Sequence, residues 1–205
     1  MHTVQLLLKP SKYERYEIDR RFRALAHLHN VCVKHARKCM VRLQYDKDYT
    51  ALRQQYLELS KKLLKKEELS KEDKAEKKAL SAQLAERRSA YGLSKSALES
   101  YLKVCGKQFS KLLSSQQVQA EADRVWCGVE RCLFGNGKEL HFKKLMDFDT
   151  IGGKSNKNGA RFDLDAMYVN WLGLSLKCYL PKSENSLSYV WESLKGKISY
   201  CNIKR

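Results

Sequence analysis

The densest run of polar, ligand-directed side chains in the sequence is Gly152-Gly153-Lys154-Ser155-Asn156-Lys157-Asn158-Gly159-Ala160-Arg161. It holds no large apolar residue and so has nothing to bury. Glycine lets backbone approach a ligand closely. Lys154, Lys157 and Arg161 supply phosphate-directed charge, and Ser155, Asn156 and Asn158 supply short polar groups that hydrogen-bond to phosphate and sugar. The pattern predicts a nucleic-acid contact loop between two strands; a plain solvated turn is the alternative.

Other chemistry is sparse. Asp147 and Asp149, and again Asp163 and Asp165, stand two apart, a spacing that puts both carboxylates on one face of a strand. A metal-dependent nuclease needs paired acids with a third nearby. Neither pair has a clear third acid, so capping or strand-end solvation is the expected role. Seven cysteines, none in a Cys-x-x-Cys pair, lack zinc-site spacing. They are expected to be free thiols in a reducing cytoplasm. No acidic or cysteine partner at ligand spacing makes a site of His27, His29 and His35, which leaves packing or phosphate contact. No serine or cysteine triad and no phosphate-binding glycine loop is present.

The charge balance is the strongest single observation. Forty Lys and Arg face 23 Asp and Glu, a formal net charge of +17. A polyanion is the natural partner, and nucleic acid is the usual one. An anionic membrane is the rival, but no run of 18 apolar residues or signal-peptide core supports it.

The elements that must position these residues follow from periodicity. Thr3 to Leu8 is a short β-prone run stopped by Pro10. Ser11 caps a long helix whose apolar stripe runs Ile18, Phe22, Leu25, Leu28, Cys32, Ala36, Cys39, Leu43. Its other face carries Arg15, Arg20, Arg23, Lys34, Arg37, Lys38 and Arg42. Helix is predicted again for Tyr49 to Lys66, for Asp73 to Ser89 with Gly92 as its cap, from Ser94 onward, and from Ser114-Ser115 to Gly135. The mixed-charge run around residues 61–78 reads as a solvated hairpin tip. From His141 to Tyr179 the pattern turns to strands, with a hairpin turn at Leu172-Gly173 between Met167–Trp171 and Leu174–Cys178. A last strand is predicted for Lys197–Lys204, with Ile198, Tyr200 and Ile203 inward. Its edge is expected to be open and completed by residues beyond Arg205 or by a second polypeptide. The layout is an α+β fold: a first strand (1–10), a helical insertion (11–137) and a small sheet (138–205) to which the first strand returns.

Several segments resemble the N-terminal half of the TnpB family, the OrfB-type insertion-sequence proteins related to type V CRISPR effectors. They are Leu6-Leu7-Leu8-Lys9-Pro10, His29-Asn30 in the long helix, Leu113-Ser114-Ser115-Gln116-Gln117-Val118-Gln119, and His141-Phe142-Lys143-Lys144. The resemblance spans nearly the whole chain in the right order. It implies an oligonucleotide-binding-like β-barrel, the wedge, interrupted by a helical recognition domain. It also implies a prokaryotic RNA-guided DNA endonuclease that holds guide RNA and its heteroduplex with target DNA and reads a short flanking motif. Gln119, with Ser115 beside it, is carried over as the motif-reading position, and the loop ending in Arg161-Phe162 as the wedge loop. The remaining candidate nucleic-acid contacts are Lys143, Lys144, Arg37, Lys38 and Arg42. The family's RuvC-like catalytic domain, with its three acids and Mg, and its zinc ribbon are expected after the last wedge strand. This chain ends at Arg205 before either, so no catalytic residue or cofactor is assigned to it. A fragment, a truncation or one subunit of a split effector, joined by a RuvC-bearing domain or polypeptide, are the expected forms. A helical module docking on an acidic protein and a stand-alone DNA-binding repressor are the rival readings.

Overall fold

A computed structural model describes residues 3–64, 70–135, 137–181 and 184–205. Parts of the mixed-charge run and of the Gly135-Asn136-Gly137 stop lie outside them. The chain is α+β, with six α-helices and six short strands among the described residues.

Helix α1, Lys12–Gln44, forms the spine. Ser11 and Glu14 close a reciprocal capping box at its start, satisfying two backbone donors that would otherwise be orphaned. Its apolar stripe faces inward as the spacing requires: Phe22, Leu25, Leu28, Cys32, Ala36, Cys39 and Leu43 are all buried. Helices α2 (Lys47–Leu63) and α3 (Lys71–Ala90) pair as a hairpin. α3 ends in a Schellman motif. Gly92, at φ 76°, donates to the Ser89 carbonyl, and Leu93 donates to that of Arg88. Helix α4 (Lys95–Gly106) and helix α5 (Ser115–Phe134) pack on each other and on α1. Ser114 and Gln117 form the capping box of α5.

β1 (Leu7–Leu8) pairs antiparallel with β5 (Leu174–Tyr179), so the chain's first strand does return to its C-terminal sheet. The four-stranded sheet runs β1-β5-β4-β3, with β3 Ala160–Asp163 and β4 Tyr168–Trp171. Leu172 and Gly173, at φ 44° and 82°, make the two-residue turn between β4 and β5. Both central residues in the left-handed region give the mirror-image hairpin turn whose twist suits the strands.

Three sequence expectations need correction. No closed barrel forms among the described residues: β2 (Thr150–Gly152) and β6 (Asn202–Lys204) make a separate two-stranded sheet beside the four-stranded one. The terminal strand is shorter than its alternation suggested. Only Asn202–Lys204 is strand, it pairs with β2, and Tyr200 is exposed while Ile203 is buried. A sixth helix, α6 (Glu184–Leu194), lies within the region read as strands. It buries Val190 and Leu194 at i,i+4 spacing, a period that the strand signals on either side concealed.

One cluster of buried residues joins helices and sheets, and Trp171 lies fully buried within it. Its indole Nε1 donates to Gln117 Oε1 on α5 at 3.3 Å. Replacing it with phenylalanine removes that bond and leaves a void. Trp171→Phe is expected to lower stability by about 1–3 kcal/mol in urea unfolding. The half-exposed Trp191 serves as control, with Trp191→Phe shifting stability by no more than about 0.5 kcal/mol.

Candidate nucleic-acid interface

The polar run 152–161 lies between β2 and β3 and is laid across the start of α5. Asn156 braces it: its side-chain amide donates to the Phe162 carbonyl and accepts from the Phe162 N–H at 2.8 Å, and its own N–H donates to Ser199. Ser155 donates to Gln116 Oε1 on α5 at 3.1 Å. Gly159 takes φ 86°, and a Cβ there would stand 2.8 Å from Ser114 Oγ. Two separate sequence motifs, the loop and the Ser115–Gln119 helix start, are thereby brought together. Ser115 is exposed and Gln119 half-buried.

The loop's cations divide into two kinds. Lys154 is committed internally: its ammonium lies 2.8 Å from Asp123 on α5 and 3.4 Å from Glu99 on α4. The hydrogen bond to Asp123 raises its pKa above the ordinary lysine value. Burial pushes the Asp123 carboxyl up, but hydrogen bonds led by that from Lys154 outweigh it and hold Asp123 below the usual range. Lys154 and Asn156 are thus tied into the fold, contrary to the expectation that the whole loop is free for a ligand. Lys157 and Arg161 are exposed and form no ion pair among the described residues. With Asn158 they line an open cleft of about 320 Å³ whose other wall is the β4–β5 turn, Asn170 to Ser175.

A second group of expected contacts gathers on α1 and the segment after α5. The Asn30 side chain both donates to and accepts from the Lys143 backbone, at 2.9 and 3.0 Å, which pins that segment against α1. Arg37 pairs with Glu139 and lies 5.3 Å from the Phe142 ring, so part of its charge is neutralised. Lys38, Arg42, Lys143 and Lys144 are exposed without an ion pair among the described residues.

Several other polar residues serve the fold. His29 meets Glu121 at 2.6 Å, both nearly fully buried, and Arg124 reaches Glu121 at 3.0 Å and the Thr150 carbonyl at 3.1 Å. Spacing along one helix could not reveal the His29 partner, which stands on another helix. His35 stacks on Tyr101 with ring centres 3.8 Å apart, and His27 meets Phe109 edge-on. Asp147 lies on a short 3₁₀ turn, not a strand, and accepts from the Lys144 N–H; Asp163 accepts from the Ala166 N–H. Among the described residues no three His, Cys, Asp or Glu side chains cluster as a metal site. All seven cysteines are free thiols, and burial raises the pKa of Cys32 to about 12 and of Cys178 to about 11. Such thiols are inert.

No protein-family model matches the chain, and no curated protein or solved structure matches it either.

Separating the two kinds of loop cation gives a direct test. Lys154→Ala is expected to lower stability by about 0.5–1 kcal/mol at neutral pH, since the pair is partly solvated. Lys157→Ala and Arg161→Ala should stay within about 0.5 kcal/mol of wild type. The sign in pH follows from the shifts. Stability from the depressed Asp123 is present above its unfolded pKa and is lost as pH falls through the folded value. Stability from the raised Lys154 is lost only as pH climbs through its folded value. The difference between wild type and Lys154→Ala in urea melts should therefore be flat near neutrality and shrink in acid.

Proposed function

We propose that this chain is the nucleic-acid-binding lobe of an RNA-guided DNA-targeting protein of the TnpB type. In this reading the two small sheets are the parts of an oligonucleotide-binding-like wedge, and α1–α5 are the recognition insertion. The lobe holds guide RNA and its heteroduplex with target DNA, and the α5 start reads a short motif beside the target. Cutting belongs to a RuvC-bearing domain or partner that supplies its own acids and Mg.

The observation that carries the reading is the surplus of free cations. The formal charge is +17. Lys38 and Arg42 on α1, Lys143 and Lys144 after α5, and Lys157 and Arg161 at the loop stand exposed without an ion pair among the described residues. A fold gains nothing from such self-repulsion, whereas a polyanion neutralises it. The order of the segments that resemble the family adds to this. The Gln119 side chain makes no hydrogen bond among the described residues, so its amide is free to donate and accept at a base edge, as glutamine does with adenine. Among the described residues no helix is long and apolar enough to cross a membrane.

Binding to RNA or to RNA–DNA heteroduplex should be steeply salt-dependent. If six to ten phosphates are contacted, affinity falls by roughly 10³- to 10⁵-fold between 50 and 200 mM salt. Titrations at several salt concentrations measure the slope. A flat response would contradict the proposal and point to a protein partner.

A further inference from the structure

The four-stranded sheet turns one face to the core and the other to solvent, and the solvent face has a distinctive make-up. Burial alternates strictly along β5: Leu174, Leu176 and Cys178 point in, while Ser175, Lys177 and Tyr179 point out. The register arranges the outward residues in rows across the strands. Arg161, Asn170 and Ser175 form one row, Asp163, Tyr168 and Lys177 the next, and Leu7 with Tyr179 the last. Tyr168 and Tyr179 are therefore diagonal neighbours, roughly 7–8 Å apart by sheet geometry. The ammoniums of Lys9 and Lys177 lie over the Tyr179 ring, 5.0 and 5.7 Å from its centre. Asn170 Oδ1 accepts from the Ser175 hydroxyl at 2.8 Å. Asp163 is the one acid in these rows, and its Oδ1 is engaged by the Ala166 N–H.

Two aromatic rings a row apart, one of them with two ammoniums against it, form a surface for stacked bases with phosphates alongside. A duplex hides its base faces, whereas a single strand presents them, and stacking on aromatics is how sequence-tolerant single-strand binders gain affinity. Asn170 and Ser175 add groups that both donate and accept, beside the rings, where a 2′-hydroxyl of RNA would be met. We propose that this sheet face binds single-stranded RNA, with bases on Tyr168 and Tyr179, phosphates on Lys9, Lys177 and Arg161, and sugar contacts at Asn170 and Ser175. The proposal rests on the nucleic-acid reading above but goes beyond it, assigning the face, the form of the strand and the stacking residues.

The test uses the full chain and three fluorescein-labelled probes read by anisotropy: a mixed-sequence 12-nucleotide RNA, the DNA of the same sequence, and the RNA duplex. Tyr168→Ala and Tyr179→Ala should each weaken binding of the single-stranded RNA by roughly 5- to 100-fold, with duplex binding nearly unchanged. Tyr168→Phe and Tyr179→Phe keep the ring and should bind as wild type, with thermal melts confirming that all four variants fold. Lys177→Gln should reduce the salt slope by about one. Single-stranded RNA must also bind more tightly than the DNA probe. Alanine variants equal to wild type, equal losses on the duplex, or equal affinity for DNA and RNA would each overturn the proposal while leaving salt-dependent nucleic-acid binding intact. Failure of the wild-type chain to bind any of the three probes would overturn both readings.

Discussion

The structure depends on how one buried aromatic is gripped by polar groups from two helices. Trp171 ends β4 with its side chain fully buried. The Arg21 guanidinium of α1 sits 5.0 Å from its ring, and Gln117 of α5 accepts from its indole N–H. Arg21 is itself almost wholly buried and donates to the Glu17 carboxylate, the Glu17 carbonyl and the Leu172 carbonyl of the β4–β5 turn. Burial lowers the Arg21 pKa, opposed by its bond to Glu17, and hydrogen bonds led by Arg20 hold the Glu17 carboxyl below its ordinary value. A charge this deep is tolerable only when it is paired and hydrogen-bonded. Because these bonds have direction, the sheet can dock on the helices in few ways, whereas an oily contact alone would allow many.

That docking settles what the other face presents. With Trp171, Val169 and Leu176 fixed inward, the two-residue period of a strand sends Asn170, Tyr168 and Lys177 outward. A slip of one residue in register would exchange the two sets completely. The same Gln117 that accepts from Trp171 also accepts from the Ser114 N–H at the start of α5. Gly159 of the polar loop packs against the Ser114 and Gln117 side chains. The helix start, the loop and the sheet are thus one joint, and the cations Lys157 and Arg161 are held at its rim.

Much of this was legible in the sequence because it is local. The α1 stripe, the Ser11 cap, the Gly92 stop and the Leu172-Gly173 turn each follow from neighbouring residues, and the structure has them as read. The pairing of the first strand was legible from necessity, since a lone strand is unstable. What was hidden depends on contacts far apart in the chain. Lys154 reads as a free cation until Asp123 and Glu99 are placed beside it. His29 reads as unpartnered until Glu121 arrives from another helix. Tyr168 and Tyr179 read as two members of alternating strands, and only register makes them neighbours. Helix α6 was missed because its short stripe sits among strand signals, and the alternation of 197–204 promised a longer strand than β6.

The central claim is that nucleic acid lies on the solvent face of the four-stranded sheet and the adjoining loop rim. Ultraviolet crosslinking of the full chain to single-stranded RNA, followed by mass spectrometry of the crosslinked peptides, tests it most directly. The account predicts crosslinks on the peptides containing Tyr168 and Tyr179 and on the 157–161 segment. Crosslinks confined to α2 and α3, with the sheet peptides unmodified, would contradict it.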